Sequence, residues 1–304
     1  MFRLAHLTDP HVGPLPRPRL RQLLSKRVTG WYNWRRGRRD LHDMTLLADL
    51  VEDIRAQNPD HITCTGDTCN IGLPSEWLTS KVFLEGLGDP RHVSFVPGNH
   101  DAYVPGALEG LLGEVGPWTR DDSGTERAFP FVRRYGPVAL IGLSSAIPTL
   151  PFVASGRIGS RQRKAVEAIL ADLGRDRSCF RIILIHHPPH VGGAQPGRAL
   201  TDAREFEEII RRVGAELVLH GHNHVGSLAH LNGPRGTVVP VIGAPSASAN
   251  AGTETHRAGY HLFTIGQDET GFLLTAELRG LRADGSIGGL GMLSLNRIAP
   301  AQRR

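Results

Sequence analysis

The sequence predicts an α/β fold in which two mixed sheets pack on each other, and three observations carry that expectation. Five short apolar, β-rich runs each stop at a polar cluster: FRLAHL (2–7) at TDPH, HITCT (61–65) at GDTCN, HVSFV (92–96) at PGNHD, RIILI (181–185) at HHPP and AELVL (215–219) at HGHNH. Stretches with helical apolar periodicity lie between the runs, at 41–57, 75–87, 104–113, 160–173 and 203–213. After residue 225 the alternation ends. VGSLAHL, GTVVPVIG, GYHLFTIG and GFLLTAELR follow one another with no helix between, as in a second, more antiparallel sheet packed on the first.

Taken in order, the first run is a strand with His6 packed inside it. Residues 14–40 then interrupt the connection to the first helix and are too long for an ordinary strand–helix loop. The next four runs are strands joined by the helical stretches. FVRRYGPVALIGL (131–143) resembles a hairpin of the same kind as the late strands. The chain is expected to be one domain over 1–282 with a basic amphipathic insert at 14–40. The remainder, 283–304, with DGSIGGLGM and a PAQRR end, is expected to be loosely ordered.

Composition narrows the function classes. With 40% hydrophobic and 21% charged residues, the 304-residue chain can bury a full core and stay soluble. No apolar run approaches the roughly 20 residues that cross a bilayer. The opening MFRLAHLTDPHVG lacks the apolar stretch of a leader and carries candidate ligands, so it is expected to be retained. Three cysteines, Cys64, Cys69 and Cys179, with no CxxC, fit a reducing, cytoplasmic setting. Nine of the Lys and Arg residues and one acid fall between Pro14 and Asp40, a net of +8, so the rest of the chain carries 5 − 8 = −3.

All five runs end in His, Asp or Asn, and in α/β sheets functional groups gather beyond the strand carboxyl ends. The set is Asp9, His11, Asp67, Asn99, His100, Asp101, His186, His222 and His224. Hard oxygens mixed with imidazoles suit Zn, Mn or Fe. No cysteine is aligned with them, which argues against a thiolate structural zinc. One carboxylate shared between two ions would make a two-metal site suited to in-line displacement at phosphorus. His222 and His224, one residue apart, would share a face on extended backbone, and Gly221 would allow close approach.

Asp9-x-His11, Gly66-Asp67-x-x-Asn70, Gly98-Asn99-His100-Asp101, His186-His187-Pro188 and Gly221-His222-x-His224 follow in order, and here the sequence resembles the calcineurin-like metallophosphoesterases. The resemblance runs from residue 4 to about 226. It is similar to the compact bacterial members, such as class III cyclic-nucleotide phosphodiesterases. It implies a four-layer α-β-β-α sandwich with a dinuclear site at the strand ends. Asp9, His11, Asp67 and His224 would hold the first of two divalent or mixed-valence ions (Mn, Fe or Zn). Asp67 would bridge to the second, completed by Asn99, His186 and His222. His100 would act beside the substrate, oriented by Asp101. Where the family often has an acid, this chain has Asn70, which bears on tuning around the ions. The implied reaction is hydrolysis of phosphate esters, with diesters favoured, by in-line attack of a metal-bound hydroxide. With Asn99 and the histidines neutral, the loaded site keeps about one positive charge for an anionic ester.

Other residues take plainer readings. His187 and His190 shape the pocket, with His187 within possible reach of substrate, and His220 is a hydrogen-bonded strand histidine. His42, His61, His92, His230, His256 and His261 receive no role. Cys64 and Cys69 are small buried side chains beside a sheet. In the insert, Leu20, Leu24, Val28 and Trp31 follow helical spacing, with Leu23 and Trp34 near the stripe. Pro18 opens the helix and Gly30 weakens its end. The insert is either an amphipathic lid packed on the domain, or, through 17–38, a contact with an anionic membrane surface or lipid-linked substrate. That second reading suits a UDP-diacylglucosamine-type hydrolase at the inner membrane face. Nucleic acid ranks lower, because the rest of the chain is net negative. Loss of ligand residues would instead mark a metal-free interaction scaffold, and all seven predicted ligand positions are filled.

Overall fold

The computed structural model describes residues 1–122, 129–176, 178–250, 256–269, 271–293 and 295. The strands are β1 (Phe2–Leu7), β2 (His61–Cys64), β3 (Val93–Phe95), β4 (Phe131–Tyr135), β5 (Val138–Gly142), β6 (Phe180–Leu184), β7 (Leu217–His220), β8 (Ser227–Asn232), β9 (Val238–Gly243), β10 (Gly259–Asp268), β11 (Gly271–Leu281) and β12 (Ile287–Leu293). The helices of the insert are α1 (Arg27–Asn33) and α2 (Arg39–Leu41). Those of the domain are α3 (Met44–Ala56), α4 (Pro74–Leu87), α5 (Ala107–Val115), α6 (Ser160–Leu173) and α7 (Ala203–Val213).

Local chemistry accounts for the helix bounds. Asp43 opens α3 by accepting from the Thr45 and Leu46 amides at 2.8 and 3.2 Å. α3 then buries Leu46, Leu47, Leu50, Val51 and Ile54, one stripe at helical spacing. Pro74 fills the first position of α4, where its missing N–H costs nothing. α7 buries Ala203, Phe206, Ile209 and Ile210 and stops at Gly214, φ 69°.

One sheet runs β12-β11-β10-β1-β2-β3 and the other β4-β5-β6-β7-β9-β8. Both are mixed. β1, β2 and β3 are parallel, as are β5, β6, β7 and β9, and the remaining pairs are antiparallel. Leu4, Leu140, Ile182, Leu184, Leu219, Ile242 and Phe263 fill the space between the sheets. Ala5, Leu7 and Phe95 face α3, α4 and α5 on one outer side. Ile141, Ile183, Val218 and Val241 face α6 and α7 on the other. Alternate residues of β6 thus serve two cores, giving four α-β-β-α layers.

The division of strands between sheets differs from the expected one. The five motif-bearing runs do not share a sheet: β6 and β7 belong with β5, β8 and β9. The late strands are also split. β1 has two edges; β2 takes one in parallel and β10 the other in antiparallel register, Phe2 opposite Ile265 to His6 opposite His261. Residues 287–293, inside the stretch expected to be loosely ordered, form β12 along β11. Positions 294 and 296–304 of that stretch lie outside the described residues.

The insert is not one helix from Pro18. A 3-10 turn (Leu20–Leu23) precedes α1, and a wider π turn (Trp34–Arg38) leads into α2. Gly30 lies inside α1, where a Cβ would collide with Tyr103 and Ile71, so its role is close packing.

Candidate metal centre

The five strand ends of the two sheets converge on one cluster. Eight described non-glycine residues have positive φ, and five are predicted ligands: Asp9 (50°), His11 (40°), Asp67 (56°), His222 (71°) and His224 (56°). Such backbone is costly and persists where surrounding structure enforces it, which is common at functional sites. His222 and His224 therefore reach the cluster from left-handed backbone, in place of the extended backbone expected. Gly221 makes their turn possible, since a Cβ there would strike Thr8 and Asp9.

Asp9 Oδ2 accepts from Thr8 Oγ1 at 2.8 Å and from the His222 amide at 2.9 Å. Its Oδ1 is buried without a hydrogen bond, 3.2 Å from His224 Nε2 and 4.0 Å from both His11 Nε2 and His186 Nε2. Asp67 Oδ1 accepts from the His100 amide at 2.7 Å. Its Oδ2 lies 3.4 Å from His186 Nε2 and 3.9 Å from His11 Nε2. Asn99 Oδ1 lies 2.8 Å from His222 Nδ1 and 3.2 Å from His186 Nε2. His11 and His224 bring their Nε2 atoms within 3.2 Å of each other.

Second contacts aim these rings. His11 Nδ1 donates to the Cys69 carbonyl at 3.1 Å and His186 Nδ1 to the Thr65 carbonyl at 2.7 Å, leaving each Nε2 toward the cluster. Burial, then Arg38, hold His11 and His100 far below the ordinary imidazole value, His100 at about 3. Burial does the same to His222. Neutral rings keep an acceptor lone pair, which at His11 and His100 takes an N–H of Arg38 and which an ion would have to claim. Burial opposes charge on Asp9, yet the His224 and His186 rings hold it well below the usual carboxylate range. Burial also opposes charge on His186, but Asp67 and Asp9 raise it to about 9. The carboxylate pair thus draws positive charge to its centre.

Metal binding is therefore tested by the donor set itself, and the residues fit. Asp9, Asp67 and His186, and separately His11, Asp67 and His100, bring ligand atoms within 4.8 Å of one another. The unpartnered Asp9 Oδ1 lies among them. Oxygen and imidazole donors without thiolate suit ions of the Mn, Fe or Zn kind.

Two predicted roles change. Asp101 does not touch the His100 ring. Its carboxylate is used up by the amides of Asp67, Cys69 and Gly98 and by Thr68 Oγ1, at 2.8–3.0 Å, and so holds two ligand loops together. The His100 ring is oriented instead by the Asn70 carbonyl, 2.5 Å from Nδ1. His42, given no role, belongs to the site: with His11 and His224 it forms a third group of ligand atoms within 4.8 Å. Its Nδ1 is 2.7 Å from Ser248 Oγ.

Sequence reasoning also missed Arg38. Its guanidinium donates to His11 Nε2 and His100 Nε2, both at 2.9 Å. A cleft of about 510 Å³ opens over the cluster, lined among others by Arg38, Leu41, His42, Arg198 and His256. The only hint in the sequence was an arginine run close after His11. His187 is buried and hydrogen-bonded to Ser145 and the Ala154 carbonyl. His220 bonds its neighbour's carbonyl within the sheet, and Cys64 and Cys69 are buried free thiols.

The calcineurin-like phosphoesterase profile matches residues 2–226. No curated protein matches significantly. Among solved structures, a dimetal phosphatase from Danio rerio superposes with TM-score 0.61 at 15% identity, covering 99% of each chain. A 5'-nucleotidase precursor from Thermus thermophilus gives 0.54 at 16% identity, and purple acid phosphatase from yellow lupin 0.52 at 15%. Each covers 95% of this chain, which spans about half of theirs, 54% and 52%. These likenesses agree in fold with the four layers, and the profile spans every ligand loop: the chain belongs to the calcineurin-like phosphoesterase family.

Proposed function

We propose that the protein hydrolyses phosphodiesters at a pair of Mn, Fe or Zn ions. The setting proposed is the cytoplasm, where its three free cysteines stay reduced. Asp9, His11, Asp67 and His224 would hold one ion, and Asn99, His186 and His222 the other, with Asp67 shared. Bound there, the ions would offset phosphate charge and lower the pKa of water toward neutrality.

The chain's own residues supply orientation and proton control. Asn99 offers an oxygen without cancelling positive charge. Arg38, always charged, can bind phosphoryl oxygens through two parallel N–H groups. His100 keeps its proton on Nδ1 against the Asn70 carbonyl, so Nε2 accepts until a second proton arrives. Burial and Arg38 hold its pKa at about 3, so beside a substrate the ring is neutral and offers Nε2 as an acceptor. Arg198 donates to the His222 carbonyl at 3.4 Å and lines the same cleft as Arg38. Two arginines lining one cleft of about 510 Å³ support an anionic substrate larger than phosphate itself.

The observation carrying this reading is the pair of buried carboxylates, Asp9 and Asp67, each with an oxygen among imidazole Nε2 atoms. The Asp67→Ala variant is expected to lose bound metal and at least about 10³-fold in turnover of a chromogenic phosphodiester. Full activity in that variant would refute the shared-carboxylate role.

A further inference from the structure

The insert is fastened over the cleft by polar and aromatic contacts and by Leu15, while Leu20, Leu24 and Val28 face solvent. Gly30 is the close contact of α1 with Tyr103 and Ile71. Val28 and Tyr32, two residues to either side, fall on the opposite face of the helix and are 46% and 54% exposed. Leu20 and Leu24, just before α1, are 86% and 87% exposed. The expected apolar stripe is thus divided: Trp34 is buried, Trp31 packs beside Ile71 and Tyr103, Leu23 is half-buried, and Leu20, Leu24 and Val28 are exposed.

A second loop adds to this face. Lys26 Nζ donates to Thr149 Oγ1 at 2.7 Å and to the Val153 carbonyl at 3.0 Å. Between those two anchors stand Leu150 and Phe152, 76% and 86% exposed. Phe152 has φ 64°, a conformation that bulky residues rarely adopt. The fold therefore carries a strained backbone whose phenyl ring contacts little of its own chain. Arg17, Arg19, Arg21, Arg35, Arg36 and Arg39 are exposed in the same insert, with Asp40 the only acid between 14 and 40. Arg35 and Arg36 lie over the rings of Trp31 and Tyr32 at 5.0 and 5.2 Å.

We propose that this face docks on an anionic lipid bilayer and brings the cleft to phosphoesters carried on lipid; the second half rests on the phosphohydrolase reading above. Aliphatic and aromatic tips enter the acyl boundary while arginines stay at the phosphates of the headgroups. A second copy using the same face would set arginine against arginine. Nucleic acid would satisfy the arginines but leave Leu20, Leu24, Leu150 and Phe152 in water. An anionic bilayer satisfies both classes of residue. The same insert carries Arg38 to His11 and His100, so docking and catalytic cleft are only a few residues apart.

The test is vesicle sedimentation of the full chain, with phosphatidylcholine alone or mixed with phosphatidylglycerol. Wild type should partition onto the anionic vesicles roughly tenfold more than onto the neutral ones, and salt should weaken it. The double variant Leu24→Glu, Phe152→Glu should lose roughly tenfold in partitioning, with soluble-diester turnover and bound metal unchanged. The Phe152→Trp variant should still bind, its emission shifting to the blue on anionic vesicles. Absence of wild-type binding, or equal binding by the double variant, overturns the proposal. So does finding that the double variant loses self-association or nucleic-acid binding while vesicle binding stays. Vesicle binding by a protein that hydrolyses no phosphodiester would keep the docking face and reject only the catalytic reading.

Discussion

The metal centre and the insert that covers it are both dense in functional side chains, but they are built differently. In the centre several ligands are aimed by backbone groups: carbonyls of Thr65 and Cys69 fix two rings, amides of His100 and His222 hold Asp67 and Asp9, and Asp101 ties four donors from two loops. The insert rests on long side chains, Lys26 and Arg27 reaching carbonyls of Val153, Ile71 and Gly72. A site that must hold cations in fixed positions is made of short side chains on strained turns. The proposed docking surface is held by flexible ones. Positive φ at Asp9, Asp67 and His222 goes with side chains gathered into one buried cluster, whereas at Phe152 it goes with a ring left in solvent.

If that contrast is right, the largest effect outside the ligands comes from Asp101→Ala. Four buried donors would lose their acceptor, at about 1–3 kcal/mol for each one left unsatisfied. Unfolding free energy should fall by about 3 kcal/mol or more, measured in denaturant, and metal affinity by about 10–100-fold. A variant of normal stability and metal content would show that the loops hold without it. Arg38→Ala sharpens the contrast from the other side. Its kcat/KM on a chromogenic diester should fall by about 10²-fold with metal content unchanged. If metal is lost in proportion, Arg38 is part of the rigid centre and the distinction fails at that residue.

What was legible in the sequence follows the same line. The helices α3 to α7 and the strand ends were readable because apolar period and motif are local properties. The order of strands was not. The nearly unbroken apolar run of β6 shows that both faces are buried, but no residue in it names β5 and β7 as neighbours. In the insert the stripe was visible, but not which face meets the domain; the crowding at Gly30 decides that. His42 and Arg38 were missed because their roles depend on partners distant in sequence, Ser248 for one and His100 for the other. The resemblance implied that Asp101 orients His100, and only the folded loops show that its carboxylate points to amides of both ligand loops.

Crystals grown with manganese or zinc, and anomalous diffraction from them, test the shared-carboxylate centre most directly. Two peaks roughly 3.5–4 Å apart are expected, one among Asp9, His11 and His224, the other among Asn99, His186 and His222, with Asp67 touching both. No peak in metal-replete crystals, or a peak away from Asp67, would contradict it.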